Sequence, residues 1–300
     1  MKIAYLISAH TDAPHLNRLV TALDKDAEFF VHIDSKVDIR QFTDVVTNPH
    51  VHFLEKRINV VWGSYREIEY QMALLQAAKN FGSFDYYITL SGLDYPCWHV
   101  NRIIAYLEEQ KGRELLQGIS VAAQPVGSDS WKLYKRHRYL ACMPWKYGSL
   151  GSKFRVALRE IGWALGLRKD LVFKADGREY SLYKGSAWWA ITDDLATEVL
   201  RTWNEDKDFC NYFRDSFGGA ETFVQTIAFN SPRFRDKCIL TEGEFIDLEQ
   251  VTPLTYIIYK PEIKILTEAD YDEVVKSGKL FCRKTITGKS DKFLDMLDAL

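Results

Sequence analysis

Glu221 opens the segment with the clearest chemical promise, "GGAETFVQTIAFNSP": an acid at the start of an apolar helix, directly after Gly218-Gly219-Ala220, with Phe223 and Val224 beside it. A carboxylate at a helix N-terminus is held ionised by the dipole and the free amides. If it faces a cleft, it can act as a general base toward a hydroxyl nucleophile. The plainer reading is a first-turn or capping acid. Near the other end, "FCRKTITGKS" gathers Arg283, Lys284 and Lys289, after Lys260 and Lys264. Fixed cations aimed at a diphosphate stabilise a departing nucleoside diphosphate as a divalent metal would. An exposed basic loop is the ordinary alternative.

Two further acids stand just past apolar runs. Asp34 ends "EFFVHIDSK", where an acid takes ribose or base hydrogen bonds in nucleotide-binding sheets, or simply orders a turn. Asp94 follows "YYITLSGL", a strand that stops at Ser91-Gly92. A metal clamp at that point needs paired carboxylates, and Asp94 is alone. The pairs Asp24/Asp26, Asp206/Asp208 and Asp270/Asp272 do not follow a buried strand, so no metal is expected. The first turn, Ser8-Ala9-His10-Thr11, lacks G-x-G-x-x-G, and there is no P-loop, which argues against a dinucleotide cofactor.

These residues need elements to carry them. "KIAYLISAH" and "EFFVHIDSK" read as parallel-type strands around the helix "DAPHLNRLVTALD", capped by Asp12, which is a β-α-β start. "VHFLE" is a third strand. "YREIEYQMALLQAAKNF" is a long helix with Ile68, Met72, Leu75 and Ala78 inward, and "VNRIIAYLEEQ" is another helix. "KGSAWWAIT" predicts one strand, and "DDLATEVLRTW" a helix capped by Asp193 or Asp194. The strand "TYIIY", the helix "EADYDEVVKSG" and a last helix after Ser290 complete the pattern. The alternation predicts an α/β chain in one continuous domain, residues 1–300, with a first half to about residue 112 and a second from about 113.

Composition bounds the function. The 300 residues carry a net charge of −2, which excludes a nucleic-acid footprint. Five scattered cysteines predict reduced thiols, and the short apolar start predicts no signal peptide, together pointing to a cytoplasmic protein. Trp131 to Arg178 holds twelve Lys/Arg against three acids. There "KFRVALREIGWALGL" is a basic amphipathic helix, apolar at Phe154, Ala157, Leu158, Ile161 and Leu165. Its apolar face either lies on an anionic membrane or packs on the domain with a solvated basic rim.

In order along the chain, "AYLISAH", "VHIDSK", "WGSYREIEYQMALLQAA", "DYYITLSGLDYP", "YKGSAWWAIT", "GAETFVQTIAFNSP" and "KLFCRKT" resemble the core-2/I-branching enzyme family of β-1,6-N-acetylglucosaminyltransferases, which also contains peptide O-xylosyltransferases. The resemblance is weakest from about residue 115 to 178. It implies a GT-A-like fold, with a Rossmann-like nucleotide-binding half and a mixed central sheet. It also implies inverting transfer from a UDP-sugar, foremost UDP-N-acetylglucosamine, without a metal or other cofactor. By resemblance Glu221 is the base, although Ala220 stands where the family usually has Asp. Lys284 maps to the diphosphate lysine, with Arg283 beside it, and Lys260, ahead of Lys264, is the choice for a second cation. Asp34 and Tyr65, with Trp62, Gly63 and Ser64, fall in the nucleotide pocket. Asp94, which contacts substrate or orders the Ser91-Gly92 turn, and Trp188 are acceptor-binding or site-shaping, and Arg136 or Arg138 lies on the acceptor side. The expected partners are a UDP-sugar and a glycan or lipid-linked glycan, in a bacterial enzyme building a surface polysaccharide or glycolipid at the inner face of the membrane. Transfer of xylose, hydrolysis of a sugar nucleotide, and a non-catalytic glycan-binding role are the alternatives.

Overall fold

The computed structural model describes residues 1–259 and 262–300. β1 (Ile3–Ala9) passes through Asp12 into α1 (Ala13–Leu23), and the Asp12 carboxylate accepts the His15 amide as the cap. Then follow β2 (Ala27–Ile33), the single turn α2 (Arg40–Thr43), β3 (Val51–Phe53), α3 (Arg66–Phe81), β4 (Tyr86–Ser91), β5 (Asp94–Pro96) and α4 (Val100–Glu109). β1 pairs in parallel with β2 and β4, and β2 pairs in parallel with β3. Side chains alternate across a strand. Ile3, Tyr5 and Ile7 therefore enter one core with Leu16, Leu19 and Leu23 of α1, while Ala4 and Leu6 enter a second with Ile68, Met72 and Leu75 of α3. Burial on both faces is why β1 is written as an unbroken apolar run.

The second half supplies β6 (Gln117–Ser120), α5 (Asp129–Lys135), α6 (Leu150–Ala164), β7 (Val172–Ala175), β8 (Arg178–Ser181), β9 (Tyr183–Lys184) and β10 (Ala190–Thr192). After these come α7 (Asp193–Glu205), α8 (Lys207–Phe213), a short 3-10 turn at Gly219–Glu221, α9 (Phe223–Asn230), β11 (Ile239–Thr241) and β12 (Thr255–Ile257). The chain finishes with α10 (Tyr271–Lys276), β13 (Phe281–Arg283) and α11 (Asp291–Asp298). β10 joins the first-half sheet antiparallel to β4, giving a five-stranded mixed sheet in the order β10-β4-β1-β2-β3. A three-stranded sheet, β12-β13-β5, brings residues 281–283 beside Asp94–Pro96. This is the expected GT-A-like α/β arrangement, with a Rossmann-like first half and a mixed central sheet.

Three local expectations change. "KGSAWWAIT" is two strands, not one. Gly185 runs so close to the Gln117 carbonyl that a Cβ there would lie 2.1 Å from its oxygen, and the chain turns away from the sheet until Ala190. In that loop Trp189 is fully buried, while Trp188 points toward Asp94. Thr192, rather than Asp193 or Asp194, is the N-cap of α7, and its amide and hydroxyl both bond to the Glu114 carboxylate.

α6 also reverses the packed orientation. Only Ser152 and Gly162 of its fifteen residues are buried. Leu150, Phe154, Ala157, Ile161 and Leu165 recur at three- and four-residue steps and all lie toward solvent on or beside the same stripe. Arg159 and Gly162 meanwhile face the body of the protein, where they line a small recess with Arg136 and Tyr139.

Candidate active site

Ser8, His10, Asp34 and Ser91 sit at the carboxyl ends of β1, β2 and β4, and together they floor a cleft of about 1140 Å³. Open parallel sheets place ligands at that edge. Second-half segments form the opposite wall, with Lys184, Trp188 and Glu221 from one side and Arg283 from β13.

At the floor, Asp34 is buried and accepts the Lys36 amide at 3.0 Å and its ammonium at 3.0 Å. His10, on the same cleft, has its pKa lowered. Burial is the main cause, and Lys36, Arg283 and Lys284 add to it against the opposing charge of Asp34. Lys284 does not line the cleft, yet its charge reaches His10. Its backbone is fixed by bonds to Lys264 and Leu266. Two cations of the lining, Lys36 and Arg283, thus stand near His10 with the buried acid Asp34, and Lys284 adds its charge from outside the lining. The sequence reading passed over His10 and Lys36.

Asp94 is fully buried and makes no wall of the cleft. Its Oδ2 accepts the Ser91 amide at 2.7 Å and the Trp188 Nε1–H at 2.8 Å, and its Oδ1 accepts Arg283 Nη1–H at 2.9 Å. Asp94 therefore orders the Ser91-Gly92 turn and aims Trp188 and Arg283, both of which line the cleft. Its carboxylate is spent on these three bonds and is not exposed to the cleft. Among the described residues, no cluster of three or more His, Cys, Asp or Glu side chains is placed to hold a metal ion.

Glu221 lines the cleft from the second half of the chain. Gly218 adopts a left-handed φ of 61°, and the following turn closes with the Glu221 amide donating to the Gly218 carbonyl at 2.9 Å. The Gly185 amide donates to the Glu221 carbonyl at 2.8 Å, which joins the turn to the loop after β9. Lys184 Nζ then reaches Glu221 Oε2 at 2.6 Å. Burial works against the charge of Lys184, but the Tyr134 hydroxyl and the Glu221 carboxylate outweigh it and raise its pKa. Glu67, from the first turn of α3, lines the same cleft, its Oε2 accepting the Gly63 amide at 3.0 Å. Burial, followed by the nearby charge of Glu221, pushes the Glu67 carboxyl up to about 8 against that hydrogen bond.

The remaining sequence candidates fall elsewhere. Tyr65 is buried in the core under α7, stacked on Trp203 at 5.7 Å, because the turn before α3 directs Trp62, Gly63 and Glu67 to the cleft instead. Arg136 pairs with Glu160 at 3.4 Å and lies over Trp163, against α6 and away from the cleft. Arg138 is one layer behind the wall, 4.7 Å over the ring of Phe217, which does line it. Burial, then Arg159 and Arg155, lowers the Arg138 pKa to about 10. Lys264 is bonded to Asp270, and Lys289 is exposed. Lys260 lies outside the described residues.

Residues 3–275 match the family described as Core-2/I-Branching enzyme. Among curated relatives, "Xylosyltransferase oxt" of Drosophila pseudoobscura pseudoobscura is 22% identical over 241 residues, covering 77% of this chain and 24% of the relative. "Xylosyltransferase" of Ciona intestinalis is 20% identical over 235 residues, covering 72% of this chain and 26% of that one. The chain thus spans about a quarter of the length of these relatives. Among solved structures, S. aureus TarS 1-349 in complex with UDP-GlcNAc aligns at 15% identity over 46% of this chain and 39% of that chain, with a TM-score of 0.28. With the family match running through every segment that builds the cleft except β13, the chain belongs to the Core-2/I-branching enzyme family, a family of glycosyltransferases.

Proposed function

We propose that this protein transfers a sugar from a UDP-sugar to a hydroxyl of a glycan or lipid-linked glycan, in one inverting displacement and without a metal. The observation that carries the reading is the make-up of one cleft: Asp34, Lys36 and Arg283 beside His10, and a carboxylate, Glu221, held by Lys184, on the same lining. Asp34 takes the nucleoside, and Arg283 with Lys284 neutralises the diphosphate as the glycosidic bond breaks. Glu221 removes the acceptor proton, and the freed oxygen attacks the anomeric carbon from the face opposite UDP. Trp188, held by Asp94, offers a ring face to a sugar or base.

N-acetylglucosamine is the first donor to test. Xylose is the second, because both curated relatives named above are xylosyltransferases. The test is UDP release by purified protein over a panel of UDP-sugars, in EDTA and then in manganese. Release in EDTA that drops steeply in Glu221→Gln and Lys284→Ala supports the reading. Release that depends on manganese overturns its metal-free part, and no release with any donor favours a glycan-binding role.

The outward stripe of α6 supports a place for this reaction at an anionic bilayer, in the assembly of a surface polysaccharide or glycolipid. Leu150 is 85% exposed and Leu165 72%. From Trp131 to Arg168 the sequence has nine Lys/Arg and one acid, Glu160. A second copy of this chain would bring like charges together at that face, whereas anionic headgroups complement it and acyl chains take the leucines. No described helix is long and apolar enough to cross a membrane. Flotation with phosphatidylglycerol vesicles is the check. Binding lost in Leu150→Glu/Ile161→Glu supports the contact. No binding at low salt, or concentration-dependent dimerisation in its place, removes it.

A further inference from the structure

The cleft around Glu221 holds two carboxyl groups and one bound cation. Lys184 is committed to Glu221 at 2.6 Å, and no Lys, Arg or His among the described residues pairs with Glu67. Glu67 Oε2 takes the Gly63 amide, while Oε1 has no protein partner among the described residues and belongs to a side chain on the cleft wall. Two like charges sharing a desolvated site cannot both ionise at little cost. The cation decides which one does, and Lys184 has chosen Glu221.

We propose that Glu67 works as a neutral carboxylic acid that donates its Oε1–H to a sugar hydroxyl in the cleft, and that loss of this proton sets the alkaline limit of turnover. The proposal rests on the transfer reading above. The groups that face Glu67 agree with it. Glu221 stands across the cleft and disfavours a second negative charge. Tyr70, on Glu67's own helix, and Tyr134, from α5, are buried phenols whose pKa values are raised mainly by burial, so they add no cation. Arg138 lies behind Phe217, its guanidinium directed at the ring rather than at a carboxylate. Asp34, Lys36 and Arg283 stand around His10, which feels all three charges. A protonated Glu67 is a donor, which suits a hydroxyl oxygen. An ionised one would add a negative charge next to the base and the departing UDP.

Two measurements decide it. Carboxyl-carbon NMR of the resting protein, without substrate, should show one glutamate that is neutral at pH 7 and titrates near 8, and the signal should vanish in Glu67→Gln. UDP release by wild type should fall about tenfold per pH unit above that titration. Glu67→Gln, which keeps an acceptor for the Gly63 amide and a donor for the cleft, should lose the alkaline fall and lose less rate at pH 7 than Glu67→Ala, which should lose about tenfold. A glutamate signal with no titration above pH 7 overturns the proposal. So does a Gln variant as impaired as Glu221→Gln, or one that keeps the alkaline fall. If wild type releases no UDP from any donor, the transfer reading fails, and the NMR titration still decides whether Glu67 holds its proton.

Discussion

Arg283 donates to Asp94 across 189 residues of chain, at 2.9 Å and almost out of reach of solvent. The same carboxylate holds the Ser91 amide and the Trp188 indole. One buried acid thus sets three groups around the sheet edge, and all its hydrogen-bonding capacity toward them requires the charged form.

Asp94→Asn should therefore act through the fold. Breaking a buried, hydrogen-bonded pair costs about 3 kcal/mol, read as a lower urea midpoint with an unchanged m-value. Donor affinity should fall with it, since Arg283 and Trp188 lose their anchor. EDTA should leave wild-type UDP release unchanged, and manganese should not rescue the variant. Rescue by manganese would make Asp94 a metal ligand.

Glu221→Gln removes the base while keeping the shape of the turn at Gly219–Glu221. General-base catalysis contributes on the order of 10²–10⁴ in rate. kcat should fall in that range with donor binding retained, since Asp34 is paired with Lys36 and neither is bonded to Glu221. A fall in donor affinity with kcat intact would assign Glu221 to binding.

Lys184→Met leaves Glu221 without its cation. Because Glu221 opens onto the cleft, the cost should be about 2 kcal/mol, below that of a fully buried pair. Loss of the partner also leaves the Glu221 carboxylate without the ammonium that holds it at 2.6 Å. kcat should fall about tenfold. A variant with lowered stability and wild-type kcat would mean that Lys184 serves the fold alone.

His32 gives a pH-dependent stability. It is buried, and its Nε2 accepts the Ile58 amide at 2.9 Å. Burial lowers its pKa to about 4 from 6.5. A depressed folded-state value means that the unfolded chain binds the proton first as pH falls. The neutral-form stability is complete above about 6.5 and is lost on the way down to about 4. By pH 5 the loss from this residue alone should be about 2 kcal/mol. His32→Gln, which keeps an acceptor for Ile58, should lose about that much less between pH 7.5 and 5 in urea melts. An equal loss would exclude His32 as the cause.

The layers of the sheet were legible because burial on both faces leaves a plain record: "IAYLI" and "YYITL" are largely apolar and carry no charge. Asp34 at a strand end and Glu221 ahead of an apolar helix were legible for the same reason, since both sit where a run changes character. Lys184 was not. It follows Tyr183 and precedes Gly185, and nothing local says that its ammonium bends to a turn that comes after α8. Glu67 lies among Arg66 and Glu69 and reads as a solvated first-turn acid. Only the approach of Phe217 and Glu221 makes it a cleft residue. Tyr65 failed in the opposite sense, since proximity in sequence to Trp62 and Gly63 says nothing about which side of the turn a ring takes.

The three-stranded sheet β12-β13-β5 has a consequence for how the protein comes into being. Its central strand, residues 281–283, is made long after the strand it joins at Asp94–Pro96. A chain emerging from the ribosome folds its early β-α-β units first, while this long-range pairing waits for the loop to close. Until it does, Asp94 has no arginine and the cleft lacks one of its cations. The floor of the cleft at β1, β2 and β4 can therefore form before its Arg283 wall, which waits on a pairing that spans 189 residues of chain.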